Sequence, residues 1–545
     1  MIGLVQDISV PWLSANPIHL NVVKVPLISL SIIALIWLLA DRRAGHRLAI
    51  WSSQLEATRP ETQRNLMLAL IALWTAFLCY LKIQQHIWMK TGFDVAIYAN
   101  VAWHMVHGPV FYDALFDRSI LGGHFSPIYL VIGIFYRVYE HPVTLMVLQS
   151  VGLGAGAVAL YLIAVRNLGY SVWAVAVLLL YLSHSYLHTA HHFEFHTNMF
   201  AIPTLLWMLY FVERDSRMMV VLFAILALSI EEVLPPAVLG VGLYLAAVRP
   251  HMRMVGVLCA VTAAVYFVVV VGVVMPAINQ EPRGHMLWGR YAHLGSSFGE
   301  ALANIALHPL WALNEALVTN SKWYYVLAFF GSLGFLPLLA WRQAWLPVLP
   351  LLLMLFNQNP SQYKLGFHYS ATALPLLYYA LVYGMKKAHE LLQNQALAPE
   401  TSLRLSSGIL ALLVGFNVSQ SPGYDLTRVD SRYVAAASNA LSVIPDRASV
   451  AGSGYVVAQL ANRHLICKVA WEPGKLCKWG APEFVILELG EKNNSKISLA
   501  HQSEYLESLL AHLGYTVVRR SDGIVVLQGK ERLGPEFAPT PPDYS

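Results

Sequence analysis

The sequence predicts a mainly α, polytopic helical membrane protein of about twelve spans with a small C-terminal extracytoplasmic α/β domain. Three observations support this fold class. The 545 residues are 57% hydrophobic and only 12% charged, whereas soluble domains carry about 25% charged residues. Apolar runs long enough to cross a hydrocarbon core about 30 Å thick recur over the first three quarters of the chain. After about residue 420 the composition becomes that of a soluble domain.

The apolar runs favour helices, because they lack the alternation of apolar and polar residues that is typical of a membrane β-barrel. The N-terminal segment lacks the charged, apolar and cleavage regions of a signal peptide in that order, so we expect the first span to be retained. The predicted spans are roughly 22–40, 66–86, 142–165, 172–189, 197–212, 218–234, 235–248, 254–275, 323–341, 345–357, 369–385 and 404–419.

Basic residues decide the predicted topology. They collect on the connections after every second span, starting with the first, and all these connections fall on one side of the membrane. The positive-inside rule makes that side cytoplasmic. We therefore expect a multi-pass protein of the cell inner membrane whose N-terminus and C-terminal domain are extracytoplasmic. One further span would invert every later loop, so the apolar segment 127–139 is interpreted as a re-entrant or surface-lying helix.

The composition divides the chain into four predicted parts. Residues 1–65 hold the N-terminal span and a basic cytoplasmic loop, and residues 66–419 form the transmembrane domain with an outer loop at 87–141. Residues 420–530 form the α/β domain, and a proline-rich tail at 531–545 is expected to be disordered. The formal net charge of +5 includes no basic block that would indicate nucleic-acid binding.

The α/β domain shows the residue patterns of short strands and helices. A buried strand is predicted over 483–489, an amphipathic helix over 500–515, and a strand, a helix and a second strand over 448–471. A hairpin is predicted over 516–529, where the Asp522-Gly523 pair suits a tight turn.

The four cysteines are too few for a disulfide framework. Cys79 and Cys259 lie in apolar spans, where a free thiol packs as a small hydrophobic group. Cys467 and Cys477 lie in the α/β domain and are predicted to pair, because an extracytoplasmic compartment is oxidising.

A site at a membrane surface is indicated by the stretch 91–127, which is too polar to cross lipid and lies between apolar segments that can. Thr91 and Asp94 have the spacing of a helix capping box, which alone would account for the carboxylate. Alternatively, Asp94 is catalytic, because the following helix has one aromatic and hydrogen-bonding face. That face carries Asn100, Trp103, His104 and His107, and the stretch also contains Tyr98, His124 and Ser126.

A second polar concentration is the sequence HHFEFH, which holds His191, His192, Glu194 and His196. Imidazole and carboxylate groups suit zinc or manganese, but no ligand pair has a recognised zinc spacing. We expect no cofactor and interpret the tract as the polar rim of an active site, with a divalent metal as the alternative. Glu231 and the neighbouring glutamate end the sixth span, where an acid within the membrane is a functional candidate.

Two later loops supply cations on the same predicted side. Arg290 lies in one loop, and Lys364 and His368 lie in the other. Interfacial anchoring by basic and aromatic residues would explain them, and so would a clamp for a phosphate group. Carboxylates that could activate a hydroxyl and cations that could hold a phosphate therefore share one predicted surface.

Four blocks in order carry a family resemblance: GFDVAIYANVAWHMVHG, GGHFSPIYLVIGIFYRVY, HHFEFHTNMFAIP and SIEEVLPPAVLGVGLYL. They resemble an uncharacterised family of predicted bacterial and archaeal membrane proteins, a domain of unknown function grouped with the GT-C superfamily of polytopic glycosyltransferases. The resemblance is good over residues 90–250. The fourth block departs from the family pattern, because Ile230 stands where a lysine is expected before the glutamate.

The resemblance implies a GT-C-like enzyme that transfers a sugar from a polyprenyl-phosphate lipid to an acceptor at the outer face of the membrane. It implies Asp94 as the first catalytic acid, Glu194 as the second, and Glu231 as the acid of the fourth block. The expected partners are the lipid-linked sugar, membrane lipid and an acceptor glycan, lipid or protein. The residues expected to bind substrate are Tyr98, His124, His192, His196, Arg290, Lys364 and His368.

In the resulting hypothesis, Asp94 accepts the proton of the acceptor hydroxyl, and Arg290 with Lys364 stabilises the leaving polyprenyl phosphate. A transporter or lipid flippase is the rival, and it predicts buried charges near the bilayer midplane and paired halves of the chain. The sequence instead gathers its ionisable residues near one surface. A non-catalytic scaffold for the α/β domain is the third interpretation.

Overall fold

The protein is described by a computed structural model over residues 24–41, 43–279, 288–364, 367–394, 398–422, 430–472, 475–490 and 497–529. The predicted disordered tail at 531–545 lies outside these ranges. A helical bundle holds most of the chain, and one five-stranded sheet follows it.

The first half of the bundle contains helices α1 to α12 and a two-stranded hairpin between α4 and α5. The helices are α1 (Lys24–Ala40), α2 (Ala44–Ala57), α3 (Pro60–Ile87), α4 (Phe93–His107), α5 (Ile120–Gly123), α6 (Tyr129–Val138), α7 (Pro142–Leu168), α8 (Val172–Ser183), α9 (Ser185–His192), α10 (Ala201–Glu213), α11 (Arg217–Leu228) and α12 (Pro235–Val248). The hairpin pairs β1 (Tyr112–Asp113) antiparallel with β2 (Arg118–Ser119).

The second half contains α13 to α21, and the C-terminal domain adds α22 and α23. These are α13 (Arg253–Val269), α14 (Met275–Asn279), α15 (Phe298–Leu307), α16 (Pro309–Leu317), α17 (Asn320–Gly331), α18 (Trp341–Ala344), α19 (Val348–Phe356), α20 (Leu374–Gln393), α21 (Pro399–Gln420), α22 (Ser431–Leu441) and α23 (Leu499–Ala511). A π-helical turn, Val270–Val274, joins α13 to α14. Short 3-10 helices include Thr197–Phe200, Trp288–Arg290, His368–Thr372 and Val456–Leu460.

Five helices among the described residues are long and apolar enough to cross a membrane: Pro60–Ile87, Pro142–Leu168, Val172–His192, Pro250–Asn279 and Pro399–Gln420. Each coincides with a predicted span. The other predicted spans fall on shorter or more polar helices, so the total of twelve stays a prediction. Helix α6 has ten residues and is about 15 Å long at 1.5 Å per residue, which is too short for a straight crossing, as the topology argument requires.

Helices α12 and α13 cross at unusually short range because glycine stands at their contact. A Cβ atom on Gly242 would lie 2.6 Å from the backbone nitrogen of Ala260, and one on Gly256 would lie 2.5 Å from that of Ala246. Small residues allow this backbone approach in membrane helix pairs. The crossing anchors α12, whose preceding residues carry two acids of the site described below.

The C-terminal sheet has the strand order β4, β3, β5, β7, β6. Strands β3 (Val450–Gly452), β4 (Ile466–Lys468) and β5 (Phe484–Glu488) are parallel, and β7 (Ile524–Gln528) pairs antiparallel with β5 and β6 (Thr516–Ser521). The predicted hairpin is confirmed, since Asp522 and Gly523 have φ angles of 44° and 84°, as a tight two-residue turn requires. The predicted boundaries of the four parts of the chain stay predictions.

A disulfide joins Cys467 to Cys477, which confirms the predicted pairing. It closes the segment that leaves the end of β4. Cys79 and Cys259 carry free thiols, and Cys259 is buried among apolar side chains as expected.

The C-terminal domain docks on α4 through hydrogen bonds to its backbone. The Asn100 side-chain amide donates to the carbonyl oxygens of Ala461 and Arg463 at 2.8 and 2.9 Å. The Tyr136 hydroxyl of α6 donates to the Asn462 side chain at 2.6 Å. Asn100 is fully buried, so these bonds satisfy polar groups that would otherwise lose water without compensation. The domain is thereby held beside the helix that carries Asp94.

Candidate active site

The start of α4 is capped from a distant part of the chain. The two carboxylate oxygens of Glu194 accept the backbone N–H groups of Gly92 at 3.0 Å and Val95 at 2.9 Å. Thr91 does not cap the helix, because its hydroxyl is hydrogen-bonded to the His86 ring at 2.9 Å. The capping-box interpretation of Thr91 and Asp94 is therefore wrong. With the helix end satisfied by Glu194, the Asp94 carboxylate is available for other contacts.

Asp94 pairs with His196. His196 Nε2 lies 3.3 Å from Asp94 Oδ2, and the side chain of Asp94 is 38% exposed whereas that of His196 is 5% exposed. The His196 ring stacks on His368, with 3.4 Å between ring centroids, and meets the edge of Tyr98. Burial raises the pKa of Asp94, but the His196 contact and the nearby His124 and Lys468 charges outweigh it and hold that pKa below its usual value. Asp94 is thus an ionised, partly exposed carboxylate in a fixed position.

Two further acids lie between α11 and α12. Glu231 accepts hydrogen bonds from the Thr197 hydroxyl and from the backbone N–H of Asn198, the latter at 3.1 Å. Glu231 and its neighbour Glu232 are both buried. These bonds tie the start of α12 to the segment that also supplies His196.

Glu232 holds the loop that precedes α6. Its carboxylate lies 3.1 Å from His124 Nδ1 and accepts the backbone N–H of Phe125 at 3.0 Å. Burial lowers the pKa of His124, but the Glu232 carboxylate more than offsets this and raises it to about 9. His124 is therefore a cation at neutral pH.

These groups open onto one cavity of about 420 Å³. Its polar part combines carboxylates with the side chain of Arg290, which lies close enough to Tyr369 to act on it electrostatically. Its remaining part is apolar and comes from α13, the π-helical turn, α15 and α19. The polar lining is Asp94, Tyr98, Asp113, Arg118, His124, His196, Asn198, Glu231, Glu232, Arg290, Tyr291, Asn357, Ser361, Gln362, His368 and Tyr369, and the apolar lining includes Phe267, Val271, Phe298, Leu302, Ile305, Leu353 and Phe356.

Most of the predicted site residues line this cavity, and three do not. Glu194 caps α4, and burial together with the Asp94 charge raises the pKa of its carboxyl group. His192 lies 3.2 Å from the Gln85 side-chain nitrogen. Lys364 is exposed and is absent from the cavity lining. The catalytic and binding roles of all ten residues stay predictions, and the geometry favours those on the cavity.

The side chains of the HHFEFH tract contact different parts of the structure, because α9 ends at His192 and the chain then runs extended. His191 Nε2 lies 2.9 Å from the Ser150 hydroxyl, whereas His196 faces Asp94 and Glu194 caps α4. Within the described ranges, no group of three or more His, Cys, Asp or Glu side chains is arranged to hold a metal ion.

Sequence reasoning missed Asp113 and Arg118, which face each other across the β1–β2 hairpin and line the cavity. The Asp113 side chain is buried and accepts the backbone N–H of Leu115 at 3.0 Å. Burial raises the pKa of its carboxyl group to about 7, although Arg118 opposes this. The segment 109–119 has the composition of an ordinary loop, so no local signal marks either residue.

A model of the family described as "Predicted membrane protein (DUF2079)" matches residues 85–526. No curated protein matches the sequence. The chain also aligns with two crystal structures of ArnT from Cupriavidus metallidurans. The structure bound to undecaprenyl phosphate has 12% identity and a TM-score of 0.48, covering 84% of this chain and 98% of that chain. The apo structure has 12% identity and a TM-score of 0.46, covering 84% of this chain and 97% of that chain. The family match spans most of the sequence and confirms the family indicated by the four blocks, so this chain belongs to the DUF2079 family of predicted membrane proteins.

Proposed function

We propose that this protein is a glycosyltransferase of the GT-C type, which moves a sugar from a polyprenyl-phosphate donor to an acceptor hydroxyl at the outer face of the inner membrane. The observation that carries the proposal is the pairing of Asp94 with His196 at the wall of a cavity that also contains Arg290 and a large apolar surface. A base, a cation and an apolar wall are the three elements that such a transfer needs.

Asp94 is the group we assign to proton transfer. The acceptor oxygen attacks the anomeric carbon of the sugar and forms the new glycosidic bond as its proton passes to Asp94. The bond from the anomeric carbon to the phosphate oxygen breaks, and polyprenyl phosphate leaves with the electron pair. The lowered pKa of Asp94 keeps it in the basic form at neutral pH, and the His196 contact orients its carboxylate.

Arg290 is the group we assign to the leaving phosphate. Its side chain lines the cavity near Tyr369, and its backbone carbonyl accepts the N–H of Gln358 at 2.9 Å. A held guanidinium suits a phosphate because it can donate two parallel hydrogen bonds. Charge that develops there next to apolar walls is stabilised more strongly than in water.

The apolar part of the cavity is the part we assign to the polyprenyl chain. Phe298, Leu302 and Ile305 recur along one face of α15, and Phe267 faces the cavity from α13. Isoprenoid units are apolar, and each buried methylene group contributes about 0.8 kcal/mol. A surface of this kind would hold the lipid and leave the sugar near Asp94.

The direct test uses the native lipid donor. Membranes of a strain that lacks this protein should accumulate a sugar-linked polyprenyl phosphate, and the wild-type protein should remove it. Asp94→Asn should fail to remove it while inserting in the membrane at normal levels.

Asp215→Asn is the matched control, because Asp215 is an exposed aspartate that pairs with His251 outside the cavity. It should behave as the wild type. Lipid extracts that are identical with and without the protein would contradict the proposal, as would full complementation by Asp94→Asn.

A further inference from the structure

Three cations contact Phe93 and Phe116 near Asp94, two of them over the rings and one at a backbone carbonyl oxygen. The Lys468 ammonium lies 4.5 Å from the centroid of the Phe93 ring, and the Arg118 guanidinium lies 4.7 Å from that of Phe116. The two rings pack edge to face with 5.7 Å between centroids. The Lys478 ammonium donates to the Phe116 carbonyl oxygen at 3.4 Å. We name Arg118, Lys468 and Lys478 the cationic rim.

The cationic rim lies at the edge of the cavity. Phe116 and Arg118 line the cavity, and Phe93 precedes Asp94 on the first turn of α4. Two acids face the rim: Asp113, opposite Arg118 on the hairpin, and Asp94, whose carboxylate feels the charge of Lys468. The rim therefore adjoins the reacting carboxylate on the side that faces the C-terminal domain.

The two lysines of the rim come from the C-terminal domain, and each directly follows a cysteine of its disulfide. Lys468 follows Cys467, and Lys478 follows Cys477. Lys475 lies inside the same segment and is different, because it pairs with Glu472 at 2.7 Å. One short segment thus carries a lysine that pairs with a neighbouring carboxylate, a lysine over the Phe93 ring and a lysine that donates to the Phe116 carbonyl oxygen.

Domain docking alone is a weak explanation for these lysines. The domain is already held by buried hydrogen bonds from Asn100 and by the bond between Tyr136 and Asn462. An exposed cation is attracted only weakly to a ring, and ordering a lysine side chain costs conformational entropy that offsets this attraction. Positive charge at this edge therefore has a use beyond packing.

We propose that the cationic rim binds a phosphate or carboxylate group of the acceptor, so that the acceptor of this protein is anionic. The inference rests on the proposed function for the identity of the bound molecule as acceptor. Arg290 lines the same cavity from a separate segment, Trp288–Arg290, near Tyr369. Arg290 would thus hold the donor phosphate, and the cationic rim would hold the acceptor anion at a separate place on the cavity. Asp94 would act on the acceptor hydroxyl that lies between these two bound groups.

The test measures lysine reactivity in the full-length protein, held in nanodiscs of phosphatidylcholine. A small acylating reagent labels exposed amines, and mass spectrometry reads the rates at Lys468, Lys478 and Lys475. All three side chains are exposed, and Lys475 is the internal control. Glucose 1-phosphate at millimolar concentration should slow labelling of the two rim lysines at least threefold and leave Lys475 unchanged. Glucose should have no effect.

A second arm identifies the source of the anion. Nanodiscs of phosphatidylglycerol replace those of phosphatidylcholine, without sugar phosphate. Protection of the rim lysines in these discs alone would make the anion a lipid headgroup, whereas protection only by the soluble sugar phosphate would make it a free or glycan-borne phosphate. Either result supports the inference. Equal labelling of all three lysines under every condition would overturn it, and so would equal protection by glucose.

Variants distinguish a failure of this inference from a failure of the proposed function. Arg118→Gln should abolish the protection, Arg118→Lys should retain part of it, and Lys475→Gln should change nothing. Undecaprenyl phosphate binding is measured in the same samples, where Arg290→Gln should weaken it and the double variant K468Q/K478Q should not. If Arg290→Gln binds undecaprenyl phosphate as the wild type does while the rim lysines are still protected by the sugar phosphate, the donor assignment is wrong and the anion site remains. If Arg290→Gln weakens donor binding but no anion protects the rim lysines of the wild type, only the cationic rim is wrong.

Discussion

Carboxylates lie near opposite ends of helices α10 and α12, and they have different surroundings at the two ends. At the N-terminal ends lie the cavity acids, including Glu231 and its neighbour, with Asp94 close by on α4. At the C-terminal end of α10 lies Glu213, which is 5% exposed. The thirteen residues of α10 separate the two regions by about 20 Å at 1.5 Å per residue.

Both carboxylate oxygens of Glu213 have hydrogen-bond donors. One of its oxygens accepts the hydroxyls of Tyr379 at 2.5 Å and Tyr383 at 2.7 Å and the Arg249 guanidinium at 2.8 Å. The Asn167 side chain lies 3.5 Å from the other oxygen. This group joins α7, α10 and α20 to the residue that follows α12. Its carboxylate has no access to the cavity, so it stabilises the helix ends.

Asp94 has the opposite character. Its side chain pairs with His196, and more than a third of it is exposed, at the wall of the cavity. The contrast shows that an acid available for chemistry is recognised by carboxylate oxygens exposed to a cavity. Burial alone does not distinguish it, because structural acids are buried as well.

The largest expected effect is on transfer in Asp94→Asn. Loss of a positioned base lowers a proton-transfer rate by about 10²–10⁴-fold, and the asparagine has the size of the aspartate, so the free energy of unfolding should stay near the wild-type value. Turnover of the lipid-linked sugar and the thermal unfolding midpoint are measured on the same preparation. Wild-type turnover in this variant would remove the distinction drawn between the two regions.

The next effect is on stability, at Glu213. Glu213→Ala leaves the Arg249 guanidinium and two tyrosine hydroxyls without their shared acceptor, which should lower the free energy of unfolding by about 3 kcal/mol. Turnover per folded molecule should be unchanged. Glu213→Gln keeps an acceptor oxygen and should cost less. A stable Glu213→Ala protein without transfer activity would show that Glu213 belongs to the reaction.

A substitution of Glu194 tests whether this acid is structural, like Glu213, or takes part in the reaction, like Asp94. Glu194→Gln keeps one acceptor for the two N–H groups at the start of α4, and a lost cap costs about 1 kcal/mol. Transfer should fall by no more than about tenfold, through a looser Asp94, given that about 1.4 kcal/mol corresponds to a factor of ten. A loss as large as that of Asp94→Asn would place Glu194 among the reacting acids and contradict the capping role.

The smallest expected effect is a pH dependence of stability at the cavity. The pKa of His124 is raised to about 9 by Glu232, so the stabilisation from this pair is complete below the ordinary histidine pKa of about 6.5. It is lost as the pH rises through about 9. The unfolding midpoint of the wild type should therefore decline between these values, and that of His124→Gln should decline less. Parallel curves for the two proteins would contradict the ion pair.

Local sequence predicted those features that neighbouring residues encode. Five spans, the C-terminal hairpin and the family follow from hydropathy, a two-residue turn and four ordered blocks, because each depends on residues close together in the chain. The Cys467–Cys477 disulfide was predicted for a similar reason, since only two cysteines lie in the polar part of the chain.

The roles of individual acids depended on contacts between distant segments. Asp94 and Glu194 are both carboxylates in polar blocks, yet Glu194 caps the helix on which Asp94 faces the cavity. Asp113 and Arg118 gain significance only when the β1–β2 hairpin folds against α4. A carboxylate has the same intrinsic chemistry everywhere in a sequence. Its hydrogen-bond partners, its exposure and the charges around it come from tertiary packing, and these decide whether it holds the fold together or faces a substrate.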